Sequence, residues 1–236
     1  MRELTPERRF GQLLADDPAR PFVTYYDEAS GERSELSVRS LANWVVKTHH
    51  LLGTELGLGV GDRALVDVPA HWISVPVLLG AFTAGLALRP DGGAEVAFVS
   101  PGVAADATDV YAIAPGSAAV GFRGAPPAGT EDYVAAVRPQ ADKWPSVQLT
   151  AGPDDPGLPG LSRGEAMDRA AARAAALGLA AGGRLLSTHP WSGPDDWIDD
   201  VLAPLAVGGS VVFVVNASDD VLARRADQER VTARRA

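Results

Sequence analysis

The densest run of reactive side chains in this 236-residue sequence is His189-Pro190-Trp191-Ser192-Gly193-Pro194-Asp195-Asp196-Trp197. An imidazole, two carboxylates and two indoles this close together supply the parts of a small ligand pocket or a weak metal site, with polar contacts beside an aromatic wall. His189, Trp191 and Asp195 are its candidate residues. A structural reading of the same run is simpler: Asp195 and Asp196 occupy the first turn of a helix, where the dipole favours negative charge, and Asp199 and Asp200 extend it as a solvated face. Ser192 stands beside His189 in sequence only, and no Gly-x-Ser-x-Gly elbow offers a hydrolase nucleophile. His49, His50 and His71 have no partner at metal-ligand spacing, so they are expected in surface or capping roles. Gly57, Gly59 and Gly61 run from a helix into a strand, the reverse of the order that places pyrophosphate on a helix N-terminus, and read as a turn.

Composition narrows the function classes. The formal charge is −9, so no basic field is available to hold a phosphate backbone, and neither nucleic acid nor an anionic membrane is expected as a partner. With no cysteine, disulfides, thiol catalysis and Cys-based zinc sites are excluded. Met1 to Phe10 is charged and reads as no secretory signal, and the longest apolar run, Val75 to Leu88, suits a buried helix better than a membrane span. A cytoplasmic protein is expected.

The elements that must hold these residues alternate. Thr5 and Pro6 open a helix ending before Pro18, and Phe22 to Asp27 pairs through a turn at Gly31 with Arg33 to Leu36. Ser37 caps a helix whose apolar face is Leu41, Trp44, Val45, Thr48, Leu51 and Leu52. Then come a strand at 64–68, a helix at 72–86, strands at 95–99 and 109–114, a helix near 131–137 and a strand at 147–150. Ser162 and Glu165 have capping-box spacing before an alanine-rich helix at 163–179. A strand at 184–188, a helix at 195–206, a strand at 210–215 and a helix at 218–234 complete the chain. The last helix carries Arg224, Arg225, Arg230, Arg234 and Arg235 among acids, which reads as solvated ion pairs. This rhythm predicts an α/β fold with a largely parallel sheet flanked by helices, in a single domain over 1–236.

The order Ala19 to Tyr26, Leu36 to Leu52, Val60-Gly61-Asp62-Arg63 into the strand ending at Pro69, then Gly80-Ala81-Phe82-Thr83-Ala84-Gly85, resembles the start of the AMP-forming adenylation superfamily. That superfamily comprises acyl-CoA synthetases, luciferases and peptide-synthetase adenylation domains. Leu185-Leu186-Ser187-Thr188, the helix to Pro204-Leu205, the turn Gly208-Gly209-Ser210-Val211-Val212 and Glu229-Arg230-Val231-Thr232 are similar to its later elements. The resemblance implies acyl or amino acid substrates. It also implies a phosphate loop, Ser/Thr-Ser-Gly-Thr-Thr-Gly followed by Pro-Lys, where this chain has Thr150-Ala151-Gly152-Pro153-Asp154-Asp155-Pro156-Gly157-Leu158-Pro159-Gly160. Only Thr150 and Gly152 match.

A phosphate loop points backbone N–H groups and a cation at the anion. Three prolines delete donors, two aspartates add negative charge and no lysine follows; the chain's two lysines, Lys47 and Lys143, lie in other contexts. Ala236 falls where the family enters its next strand, so the resemblance implies a truncated first portion without the later nucleotide motifs. The expectation is a non-catalytic protein with no cofactor, acting in binding or regulation. Its partner would be another protein, a second copy, or a small acyl or amino acid ligand near Thr150, His189 and Trp191. The alternative is a ligase subunit whose nucleotide site is completed by a partner.

Overall fold

Thr5 accepts the amide of Arg8 at 3.4 Å and Pro6 opens helix α1 (Pro6–Asp16), which buries Phe10 and Leu13. The computed structural model describes residues 4–114, 116, 120–145 and 151–236. Strands β1 (Pro21–Asp27) and β2 (Glu32–Ser37) form the expected hairpin, and Ser37 accepts the Ser40 amide to start α2 (Val38–His50). A π-helical turn, Leu51–Glu55, continues α2 and buries Leu51 and Leu52. β3 (Arg63–Asp67) leads to α3 (Ser74–Thr83), which starts two residues later than expected and so keeps Pro76 in its first turn. Gly85 ends the run at φ +94°, where a side chain would also meet Val60 at 3.0 Å.

Strands β4 (Ala87–Arg89), β5 (Ala94–Val99), β6 (Ala107–Ala112) and β7 (Glu131–Asp132) follow, then the short helix α4 (Tyr133–Val137) capped by Asp132. Next come a small hairpin, β8 (Pro156–Leu158) and β9 (Leu161–Ser162), and α5 (Arg163–Ala176). The Ser162 and Glu165 capping box of α5 is formed on both sides, at 3.3 and 2.8 Å. β10 (Arg184–Ser187) precedes a helix built of α6 (Pro194–Trp197), a π-helical turn (Ile198–Leu202) and α7 (Ala203–Ala206). β11 (Ser210–Val215), α8 (Asp219–Gln228) and β12 (Ala233–Arg235) end the fold.

The mixed α/β architecture is mostly parallel, in two five-stranded sheets. The first runs β12-β10-β11-β1-β2, parallel except for the β1–β2 hairpin; the second runs β4-β3-β5-β6-β7 and is parallel throughout. One apolar cluster joins Val23 and Phe213 of the first sheet to Val66, Val96 and Phe98 of the second through Leu41 and Val45 of α2 and Val77 and Leu78 of α3. The β8–β9 hairpin lies against edge strand β4.

The final helix is shorter than its charge pattern suggests. It stops at Gln228, Arg230 turns into the left-handed region at φ 52°, and Val231 N–H closes onto Ala226 C=O at 2.9 Å. The chain then reverses into β12, which pairs with β10, because a free strand edge supplies the backbone partners that a lone helix end lacks. No helix among the described residues is long and apolar enough to cross a membrane.

Candidate functional site

The C-terminal end of β10 turns out through Thr188 to Gly193 and returns as α6. Every residue from Asp196 to Leu205 is buried, so beyond its first turn this helix has no solvated face and Asp196, Asp199 and Asp200 must find partners inside. Asp196 Oδ2 accepts the Ser192 amide at 2.6 Å, the Ser192 hydroxyl at 2.8 Å and the Gly193 amide at 3.2 Å, pinning the loop to the helix. Arg235, the last residue of β12, inserts among three carboxylates: it reaches Asp196 Oδ1 at 2.5 Å, Asp199 Oδ2 at 3.1 Å and Asp200 Oδ2 at 3.1 Å. Arg173 of α5 clamps Asp199 with two bonds of 2.7 Å.

Burial pushes the Asp200 carboxyl up to about 6, against Arg235, the Trp191 indole and the Ser187 hydroxyl, which favour the ion. Its Oδ1 has no hydrogen bond of ordinary geometry. Burial also acts on Asp196, but Arg235 and the Ser192 donors outweigh it and hold that carboxyl below its usual range.

His189 and Trp191 join this socket, and Asp195 does not. The His189 Nε2 lies 3.4 Å from Asp196 Oδ1, and the Trp191 indole donates to Asp200 Oδ2 at 2.9 Å while meeting Phe213 edge-on at 5.8 Å. Asp195 is exposed and pairs with Arg169 at 2.8 Å. It borders a cavity of about 370 Å³ with Pro159, Leu161, Ser192 and Ile198, whose wall includes neither His189 nor Trp191. The solvated face assigned to Asp199 and Asp200 is therefore corrected: both are buried, and Arg235, read as part of a solvated tail, is their counter-ion. The spacing of 196, 199 and 200 along one helix was the available signal, since those three positions share a face.

His49, His50 and His71 are corrected in the same way, being buried. His50 bonds Thr54 at 3.0 Å and the Lys143 carbonyl at 2.7 Å; the His71 ring packs against that of Tyr25 at 4.2 Å, tilted by 51°, and burial brings its pKa down to about 4.

Thr150 and the strand expected at 147–150 lie outside the described residues. From Gly152 onward the loop is folded on itself. Gly152 donates its amide to Asp155 Oδ2 at 2.6 Å, and the Asp155 amide returns to Gly152 C=O at 3.2 Å. The amides of Arg163 and Gly164, at the start of α5, donate to Asp155 C=O at 3.0 Å and Pro153 C=O at 2.8 Å. Donors that would face a phosphate are thus taken by the chain's own oxygens, and the helix N-terminus is closed by Ser162 and Glu165. The cation following the loop points away: Arg163 is fully buried and bonds Glu7 at 3.1 Å, Phe82 C=O at 2.8 Å and Leu86 C=O at 2.8 Å.

No protein-family model matches the chain. A TIGR03089 family protein of Mycobacterium tuberculosis is 40% identical over 234 residues, covering 93% of both chains. Among solved structures, a Brucella canis acyl-CoA synthetase superposes with a TM-score of 0.75 at 15% identity, over 98% of this chain and 47% of its own. The acetoacetyl-CoA synthetase of Streptomyces lividans gives 0.73 at 19% identity, over 98% and 42%, and apo MbtA of Mycobacterium smegmatis 0.70 at 18%, over 98% and 48%. The chain thus spans about half the length of these solved proteins, and at such identities the likeness shows the fold, that of an N-terminal portion of the AMP-forming synthetases.

Proposed function

This chain belongs to the TIGR03089 family, and from that premise we propose that it is a non-catalytic, cytoplasmic member of the synthetase-like fold, acting by binding a small acyl or amino acid ligand or a partner protein. The observation that carries this reading is the self-satisfied loop: the Gly152 amide is spent on Asp155, the α5 amides are spent on loop carbonyls, and the local carboxylates repel a triphosphate. Freeing those donors means breaking hydrogen bonds worth about 1 kcal/mol each, or somewhat more where the acceptor is ionised, before any phosphate contact forms.

The test is calorimetric titration of the purified protein with magnesium-ATP. No binding at millimolar nucleotide is expected; saturable micromolar binding overturns the reading. A thermal-shift series with acyl and amino acids then separates the two binding roles. A ligand at a hundred times its Kd adds about 2.7 kcal/mol of stability, and silence from all of them leaves the protein partner.

A ligase subunit completed in trans is the second reading, resting on the synthetase-like fold itself. Pyrophosphate exchange that appears only with co-purified protein supports it, and its absence there retires it.

A further inference from the structure

At the opposite end of the first sheet, where β1, β10 and β11 begin, a cleft of about 350 Å³ is lined by Arg20, Arg184 and Arg230, on a protein whose formal charge is −9. Arg184 is held rigidly there. It donates to the Ser210 hydroxyl at 3.1 Å, the Thr24 hydroxyl at 2.8 Å and Glu229 at 2.5 Å. The two acids that line the cleft are already answered: Glu229 by Arg184 and the Tyr26 hydroxyl, and Glu35 by Arg33 at 3.0 Å and Thr24 at 3.1 Å. Of the three lining arginines only Arg184 answers a glutamate of the cleft, Arg33 from outside it answers the other, and Arg20 and Arg230 are left in surplus. The Arg20 guanidinium donates to the Gly182 carbonyl, and among the described residues neither it nor Arg230 makes an ion pair.

Arg230 is also the residue held at φ 52° just past the end of α8, a position that glycine occupies without strain and arginine does not. The helix C-terminus favours a cation nearby, but that preference extends over the whole last turn and does not require the strained residue itself to carry the charge. An arginine kept where glycine is favoured, beside a second unpaired arginine and a rigid third, is the arrangement of an oxyanion grip, because the guanidinium fork matches the oxygens of a tetrahedral anion.

We propose that this cleft binds a small dianion of the phosphate or phosphomonoester class, gripped by Arg20 and Arg230 over the fixed Arg184.

Inorganic phosphate, acetate and sodium chloride are titrated into the full chain at matched ionic strength, followed by thermal shift and calorimetry. Saturable phosphate binding is expected, with acetate at least tenfold weaker and chloride indistinguishable from buffer. Arg230→Gly is expected to raise the phosphate-free melting temperature by relieving the backbone, yet to weaken phosphate at least tenfold; Arg20→Ala is expected to weaken it similarly with little change in stability. The proposal is overturned if phosphate acts no differently from chloride, if acetate binds as tightly, or if both variants bind phosphate like the parent.

Discussion

Replacing Arg235 with alanine removes one guanidinium from three carboxylates at once. Its side chain is 12% exposed, and those of Asp196, Asp199 and Asp200 are 6%, 4% and 0% exposed. Asp196 keeps its Ser192 and Gly193 donors and Asp199 keeps Arg173, but Asp200 is left with the Trp191 indole and the Ser187 hydroxyl, neither of which carries a positive charge. Breaking a buried pair by deleting one partner costs about 3–5 kcal/mol. At about 2–4 °C per kcal/mol for a chain of this length, the melting temperature drops by roughly 6–20 °C.

The loss depends on pH with a definite sign. Asp200 is raised to about 6 in the folded protein, above its unfolded value, so its contribution is fully present at low pH and is lost as pH rises through 6. Without Arg235 its proton is held more tightly still, so the variant falls further below the parent at pH 7.5 than at pH 5. Asp200→Asn in the Arg235→Ala background recovers part of the stability at pH 7.5 and removes the pH difference. Differential scanning calorimetry of the parent and variants at both pH values measures this. A variant melting within 1 °C of the parent, or a larger deficit at pH 5, refutes the account of the socket.

Gly80→Ala sets a methyl 2.5 Å from the Thr48 Cβ and Cγ2 atoms, and chemical denaturation is expected to show a loss of about 1–3 kcal/mol as Thr48 is displaced from its bond to the Tyr133 hydroxyl. Arg163→Ala strands Glu7 and the Phe82 and Leu86 carbonyls in the interior, and the same measurement is expected to read a loss of about 3–5 kcal/mol. His71, with its pKa depressed to about 4 by burial, contributes stability that is present above pH 6.5 and lost as pH falls towards 4. That contribution is about 3 kcal/mol, since each tenfold loss of proton affinity on folding corresponds to roughly 1.4 kcal/mol. Its imidazole should titrate near 4 by NMR, and titration near 6.5 would contradict its placement.

What the sequence alone determined are the features settled within about four residues. The Thr5–Pro6 start of α1, the Ser37 cap and the Ser162–Glu165 box were legible because a cap and the amides it serves are neighbours in the chain. The strand–helix alternation and the proline-rich, acidic loop were legible for the same reason. Tertiary structure decided the rest: the division into two sheets, the reversal of the last helix into β12, and the fate of the charges.

A solvated acidic face and a buried one are spelled identically along a helix. The difference is set by Arg173, 26 residues before Asp199, and by Arg235, 35 residues after Asp200. Asp195 was the candidate and Asp196 was not, yet Asp195 faces water and Asp196 an arginine, because burial between the sheet and α5 begins only at Asp196. Local chemistry chooses the elements, while the partners that neutralise a buried charge come from wherever the fold brings the chain back.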